Sequence, residues 1–229
     1  MPAYRSQAEA DIRDAVVARI RERRPQARII HEINVSTYGP NRIDLIAVDR
    51  AEIIAVEIKS EKDKLDRLPA QMTAMKAVAH HGVAALHEKF LVEQVTNQWS
   101  AHCERDGAFY MRTLPDGLKY SDSAWVYPER RRAMPGADHD HLASWRFPPQ
   151  NLDTALPWDA LDLLWRAELY ELCGALRISA NSRSTMTDMS RQLRWLCTGR
   201  ELTRGICALL RARRCIEADP AIEGERIAA

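Results

Sequence analysis

The feature that most constrains the fold is a pair of short segments rich in β-branched residues, separated by four charged or small residues. The first segment covers residues 42–48 and the second covers residues 53–59. Two such segments joined by the connection 49–52 predict a β-hairpin. Because side chains alternate across a strand, Glu57 and Lys59 should point to the same face of the second strand. One face of the hairpin therefore carries a carboxylate and an ammonium side by side.

Asp44 lies within the first segment, from which its carboxylate can reach Glu57 and Lys59. Two carboxylates are the hard oxygen ligands that Mg²⁺ takes, with water and substrate phosphate completing its shell. A bound ion would polarise a phosphoryl oxygen and activate a water molecule. Lys59 would orient that water or neutralise charge developing on the phosphate. The pattern predicts metal-assisted phosphodiester hydrolysis, and the alternative is an ordinary cross-strand charge cluster.

Asp44 followed by Glu57-Ile58-Lys59 resembles the D…(E)xK signature of the PD-(D/E)XK nuclease superfamily, whose fold is similar to that of restriction endonucleases. The segment 60–71 is similar to a bacterial and phage branch that has an EIKS motif followed by an RLPxQ helix start. This resemblance covers about residues 6–90. A weaker one involves a Trp-containing helical segment at 164–169.

The resemblance implies a nuclease that uses Mg²⁺ or Mn²⁺, with Asp44 and Glu57 as metal ligands and the Ile58 backbone carbonyl as a third. It also implies that Lys59 serves as the catalytic base or as an electrostatic aid. The superfamily includes members that have lost activity, so the fold does not by itself establish catalysis. A catalytically inactive DNA-binding or recruitment subunit of a larger complex is therefore the alternative function.

Gln71 lies on a helix predicted over residues 65–80 by an apolar stripe at helical spacing. It resembles the glutamine that many exonuclease-like members carry after the ExK motif, often four residues before a tyrosine. This chain has Met75 at the tyrosine position, so the full exonuclease motif is incomplete. The alternative interpretation of Gln71 is an ordinary surface glutamine.

Two further acids are candidates for the metal site. Ser6 and Glu9 have the spacing of a capping box, and Glu9 also lies on the apolar side of the first predicted helix, so it is either a cap or a ligand. Glu32 lies in a predicted strand over residues 29–35, on the same face as Ile30 and Asn34 if the alternation is regular. Ser60 follows Lys59 and is expected either to bind phosphate or to cap a turn.

The order of helix, three strands, helix and a further strand over 82–87 predicts an α/β domain with a restriction-endonuclease-like mixed sheet, followed by C-terminal helices. The predicted organisation is a nuclease-like core, an extension with extra strands, a helical accessory region and a tail, at residues 1–90, 91–150, 151–217 and 218–229.

The middle of the chain has weaker patterns. Segment 90–104 predicts a helix, and two strands are predicted on either side of a turn at 115–117, over 108–111 and 124–127. An arginine run and a His-Asp-His triplet follow, at 129–132 and 139–141. The arginines fit either phosphate contact or a solvated face. The triplet fits either metal binding or a polar loop.

Apolar stripes predict three helices between residues 157 and 212, with a polar and basic connection between the first two. Arg183, Arg191 and Arg194 belong to this basic region, and local basic density is typical of phosphate contact. The helices are expected to contact DNA, in the manner of a helix-turn-helix. Packing on the sheet, a homodimer face and a protein-partner face are the alternatives.

The formal net charge is +1, so DNA affinity should come from local patches and the metal rather than from overall charge. Five widely spaced cysteines indicate neither a disulfide framework nor a zinc ribbon. No apolar stretch is long enough for a membrane span and no signal peptide is evident, so a cytoplasmic location is expected. The sequence predicts a metal-dependent DNA nuclease of bacterial or phage DNA repair, recombination or defence.

Overall fold

The computed structural model describes residues 6–35, 41–115, 118, 124–128, 145–150, 153–225 and 227. The α-helices are α1 (Gln7–Arg23), α2 (Leu68–Val78), α3 (Arg166–Ala175), α4 (Met186–Leu196) and α5 (Gly199–Ala212). The strands are β1 (Arg28–Val35), β2 (Asn41–Val48), β3 (Ile53–Lys59), β4 (His81–His87), β5 (Val92–Thr96), β6 (Cys103–Arg105), β7 (Ala108–Thr113) and β8 (Ala124–Tyr127). Short 3₁₀ helices cover Glu88–Phe90, Gln98–Ser100 and Trp158–Leu163.

The main sheet has five strands in the order β1-β2-β3-β4-β8. Strand β2 is antiparallel to both of its neighbours, β1 and β3. Strands β3, β4 and β8 run parallel, and α2 connects β3 to β4. A separate antiparallel sheet has the order β5-β7-β6. The α/β class with a mixed sheet and C-terminal helices is therefore confirmed, and so is the hairpin β2–β3.

Helices cover both faces of the main sheet, which explains why every residue of β3 is buried. On one face, Ile12, Val16 and Ile20 of α1 pack against alternate strand residues and against Trp125 and Trp145. On the other face, the apolar side of α2 and the C-terminal helices form one continuous cluster with β1 and β2. The C-terminal helical region thus packs on the sheet, which was one of the alternatives given by the sequence.

Buried arginines fasten the C-terminal region to the sheet. Arg28 on β1 donates to the carbonyl oxygens of Leu210 (2.7 Å), Arg211 (3.0 Å) and Asp219 (3.1 Å). Arg211 on α5 donates in return to the carbonyl oxygens of Gln26 (2.7 Å) and Val48 (3.0 Å). Each guanidinium thus supplies several donors to backbone carbonyl oxygens, of which the Arg211 oxygen also accepts from the Ile222 N–H at 2.8 Å.

The predicted helix over residues 90–104 is wrong. Leu91, Val95 and Trp99 fall at helical spacing, but Val92–Thr96 pairs with β7 and Cys103–Arg105 forms the opposite edge of the same sheet. Non-local strand pairing satisfies the backbone here and overrides the local pattern.

The strands predicted over 108–111 and 124–127 both form, but they do not pair with each other. The first is β7 of the small sheet, and the second is β8, which joins the main sheet beside β4. The arginine run at 129–132 and the triplet His139-Asp140-His141 lie outside the described residues.

All five cysteines are free thiols, and Cys173 and Cys207 are fully buried. They act as small apolar side chains in the core. Among the described residues, no helix has the length and the apolar character needed to cross a bilayer.

Replacing Arg28 with methionine should destabilise the protein by about 3 kcal/mol, because the carbonyl oxygens of Leu210, Arg211 and Asp219 each lose a guanidinium donor. Urea unfolding of the variant and the wild type measures the difference. Arg50→Met is the matched control, because the Arg50 side chain is 73% exposed and a surface ion pair contributes at most about 1 kcal/mol. Equal stability of the two variants would show that the arginine does not fasten the C-terminal region.

Candidate active site

The cleft forms where the ladder of the β2–β3 hairpin ends. Paired residues extend from Val48 and Ile53 to Leu45 and Val56, and beyond this point the two strands separate. The Asp44 carboxylate occupies the gap, where its Oδ2 accepts a hydrogen bond of 2.8 Å from the backbone N–H of Ile58. A side-chain carboxylate thus replaces the backbone acceptor that a continued ladder would have supplied.

Glu57, Lys59 and Gln71 form a buried polar cluster beside Asp44. Lys59 Nζ lies 2.8 Å from Glu57 Oε1, as their shared face on β3 predicts. Gln71 reaches the same oxygen from α2 and donates to it through Nε2. Pro69 occupies the first turn of α2, where its missing N–H costs nothing, so the helix begins close enough to β3 for this contact. Gln71 is only 7% exposed and is not a surface glutamine.

These side chains line a cavity of about 580 Å³ at the end of the sheet. Its walls come from α1, β1, β2, β3, the β3–α2 loop and α2, and they combine acidic, basic and amide groups. The lining residues are Glu9, Asn34, Arg42, Asp44, Glu57, Ile58, Lys59, Asp63, Lys64, Asp66, Arg67 and Gln71.

Arg13 is a buried cation behind the cleft that the sequence analysis did not single out. Its guanidinium donates to the backbone oxygen of Asp44 (2.7 Å), to Glu9 (2.7 Å) and to Glu32 (3.3 Å). It also donates to Nδ1 of His31 at 3.1 Å, and burial together with the Arg13 charge lowers the pKa of His31 to about 4. The available signal was its position four residues after Glu9 on the apolar side of α1.

Burial disfavours the ionised forms of Asp44 and Glu57. Burial, together with the nearby Asp44 charge, raises the pKa of Glu57 to about 7, although Lys59 and Gln71 act in the opposite direction. The pKa of Asp44 is also raised by burial, against the hydrogen bond from Ile58 and the charges of Arg13 and Lys59. A divalent cation would favour the ionised forms of both carboxylates.

The donor set fits a divalent cation. Among the described residues, Glu57 Oε2 and Gln71 Oε1 are buried in the cleft without any hydrogen-bond partner. Buried oxygens without partners are costly, and a hard cation that takes oxygen ligands would relieve that cost. Asp44 and Glu57 supply the two carboxylates, and Ile58 also lines the cleft.

The two additional acids occupy different places. Glu9 lines the cleft, and its backbone N–H is capped by Ser6 Oγ at 3.2 Å while its carboxylate binds Arg13. Glu32 lies beside the cleft, where Arg13 and Arg42 hold its carboxylate, the latter at 2.5 Å.

The regular alternation predicted for β1 is wrong at one position. Glu32 has a positive φ of 58°, which changes the phase of the strand. Ile30 and Ile33 consequently lie in the same apolar cluster, although they are three positions apart, and Glu32 does not share the face of Ile30. Its carboxylate instead turns to Arg13 of α1, on the opposite side of the sheet.

The residues proposed for DNA contact do not line the cleft. Ser60 is buried, and its backbone N–H and hydroxyl both donate to Asp63, at 2.8 and 2.6 Å, so it caps the β3–α2 turn. Arg183 and Arg191 are exposed in the C-terminal region. Arg194 forms an ion pair of 3.1 Å with Asp159.

A second group of possible metal ligands lies in the small sheet. Ligand atoms of Glu93, His102 and Cys103 all lie within 4.8 Å of one another. Glu93 is already paired with the guanidinium of Arg105, which would repel a cation, so we assign no ion to this group.

The comparison with family models identifies one similarity. Residues 3–103 match the family described as Bacteriophage P4 protein cII. The matched segment includes every lining residue of the cleft. No curated protein and no solved structure matches the chain.

Glu57→Gln should stabilise the metal-free protein at high pH. The folded-state pKa of Glu57, about 7, exceeds its ordinary value of 4.5, so the folded protein retains a proton that the unfolded chain releases within this window. The contribution of Glu57 to stability therefore falls as pH rises from 4.5 to 7. Glutamine cannot ionise, so the advantage of the variant should grow from near zero at pH 4.5 to about 1–3 kcal/mol at pH 8.

Urea unfolding in EDTA at pH 5, 6.5 and 8 measures this difference. Glu61→Gln is the control, because it makes the same chemical change at an exposed position next to the same strand. A Glu57→Gln variant that is less stable than the wild type at pH 8 would contradict the assignment.

Proposed function

We propose that this chain is a divalent-metal-dependent nuclease that hydrolyses phosphodiester bonds of DNA. The observation that carries the proposal is the convergence of Asp44, Glu57, Lys59 and Gln71 in one cleft, with a buried Glu57 oxygen that lacks a partner. Two hard carboxylates beside a lysine match the requirements of metal-assisted phosphoryl chemistry. The resemblance of these residues to the PD-(D/E)XK signature supports the same reaction.

Asp44 and Glu57 would hold Mg²⁺ or Mn²⁺, with the Ile58 carbonyl as a further oxygen ligand. When bound, the ion would supply Lewis-acid polarisation of the phosphate and a more acidic water. The hydrogen bond from Ile58 fixes the orientation of the Asp44 carboxylate, and Gln71 fixes that of Glu57. Such fixed oxygens need no reorganisation when the reaction occurs.

Lys59 would act on the charge that develops on the phosphate. Its ammonium has three donors and uses one of them on Glu57 Oε1, so two remain for the substrate or the attacking water. The side chain is nearly buried, and a charge in such a site acts more strongly than in bulk water. We therefore assign Lys59 an electrostatic role at the scissile phosphate.

Cations on the rim of the cleft would hold the neighbouring phosphates. Arg42, Lys64 and Arg67 line the cavity around the buried cluster. Phosphate contacts of this kind position the strand without reading its sequence. The match to a bacteriophage protein family is the reason for proposing a phage or bacterial setting. DNA repair, recombination or defence is the role that we propose for the nuclease there.

The direct test is cleavage of labelled linear, circular, single-stranded and branched DNA with Mg²⁺, with Mn²⁺ and with EDTA. We expect cleavage by the wild type that EDTA abolishes. Glu57→Gln and Lys59→Met should each reduce the rate by at least about 100-fold, a factor typical of removing one electrostatic group from an active site.

Glu61→Gln and Lys62→Met are the matched controls, because both residues are exposed, lie outside the cleft and undergo the same chemical changes. Each should retain wild-type activity. A folded wild type that cuts no substrate with either metal would remove the nuclease proposal and favour a DNA-binding or recruitment subunit. Activity that survives Lys59→Met would remove Lys59 from the reaction.

Metal binding gives an independent prediction. Asp44→Asn should weaken Mn²⁺ binding by at least about tenfold, because even outer-shell partners of a metal contribute that much. Asparagine keeps the acceptor for the Ile58 N–H, so the fold around the cleft should be retained. Isothermal titration of Mn²⁺ into both proteins measures the change, with Asp11→Asn on the exposed side of α1 as the control. Unchanged affinity of Asp44→Asn would contradict its assignment as a ligand.

A further inference from the structure

A second groove continues from the cleft towards the C-terminal helices. It has a volume of about 410 Å³, and Asn34 at the end of β1 lines both cavities. Its far wall includes Trp165, Arg166 and Met186 from the region of α3 and α4. A chain leaving the cleft past Asn34 therefore meets an aromatic ring and a guanidinium.

Trp165 is unusually exposed for a tryptophan that is so firmly held. It is 56% exposed, yet the guanidinium carbon of Arg213 lies 4.4 Å from its ring centroid. Arg213 is itself buried, and it binds Glu168 at 2.7 Å and the carbonyl oxygen of Leu163 at 2.7 Å. The backbone N–H of Trp165 also donates to Glu168 at 2.7 Å. The indole is thus an accessible platform fixed from behind by a buried ion pair.

Arg166 is held in place next to this platform. Its Nη2 donates to the carbonyl oxygens of Ser182 (2.7 Å) and Ser184 (3.0 Å). The guanidinium therefore places a positive charge in the same groove as the ring. An aromatic platform beside a fixed cation is the combination that single-stranded nucleic acid requires, because bases stack on the ring while phosphates meet the charge.

We propose that this groove binds an unpaired nucleotide of the DNA strand whose phosphodiester lies in the cleft, with its base stacked on Trp165. The inference rests on the proposed nuclease function and specifies its substrate class as single-stranded DNA or a single-stranded extension. A base within a duplex has both faces covered by its neighbours, so an indole at the surface can stack only on a base that has left the helix.

Two conservative variants separate stacking from packing. Trp165→Leu retains an apolar side chain against Arg213 but removes the aromatic face. Trp165→Phe retains both the apolar side chain and an aromatic face. Trp195→Leu is the matched control, because Trp195 is 87% exposed on α4 and lines neither cavity. Thermal unfolding of all three variants confirms that each is folded before binding is measured.

Fluorescence anisotropy in EDTA with labelled dT20 and with a labelled 20-base-pair duplex measures binding without cleavage. Trp165→Leu should weaken dT20 binding by about tenfold, Trp165→Phe should restore most of the affinity, and the duplex should bind all variants equally. Equal dT20 affinity of wild type and Trp165→Leu would overturn the proposal. So would an equal loss in Trp195→Leu, or an equal loss for the duplex.

A parallel cleavage assay with Mg²⁺ distinguishes the two proposals. Metal-dependent cleavage without any effect of Trp165→Leu on dT20 binding would retain the nuclease and remove the stacking groove. Absence of cleavage, together with a loss of dT20 binding that Trp165→Phe reverses, would retain the groove and remove the nuclease.

Discussion

The candidate site depends on one hydrogen bond, in which the Asp44 carboxylate accepts from the backbone N–H of Ile58. It occurs where the β2–β3 ladder stops, and it allows the two strands to separate without leaving that N–H unsatisfied. The separation opens the end of the sheet and exposes the polar side of β3 to a cavity. The same contact orients Asp44 towards Glu57, so it creates the cleft and positions one of its proposed ligands.

Burying two carboxylates in the cleft lowers the stability of the fold, and the surrounding cations offset part of this loss. Burial disfavours ionised Asp44 and Glu57, whereas Lys59 in front and Arg13 behind stabilise negative charge at this point. Buried ion pairs of this kind add little net stability, because the cost of removing the charges from water offsets their attraction. Buried oxygens without partners, such as Glu57 Oε2 and Gln71 Oε1, are more typical of a functional site than of a structural cluster.

The sequence predicted the parts of the site that follow from local periodicity. Alternation along β3 placed Glu57 beside Lys59. The apolar stripe of α2 predicted the helix that carries Gln71, whereas its place at the site was expected from the resemblance, and the structure has it donating to Glu57. Arg13 was missed because its role depends on three separate elements meeting behind the cleft. Glu32 was misplaced because a single left-handed residue shifts the phase of β1. The helix predicted over 90–104 was wrong because this segment pairs with β7, and such pairing depends on tertiary structure rather than on the local pattern.

β1 connects the C-terminal helices with the cleft. It is an edge strand of the main sheet, and residues 217–219 cover its free side through backbone hydrogen bonds of 2.8 and 2.9 Å. Arg28 at its start fastens α5, while Asn34 near its end lines both cavities. Trp165, on the wall of the second cavity, is held by Arg213 and Glu168. A substrate strand that stacks on the ring would present its phosphodiester to the buried cluster already aligned, which is how binding energy at a distance assists a reaction.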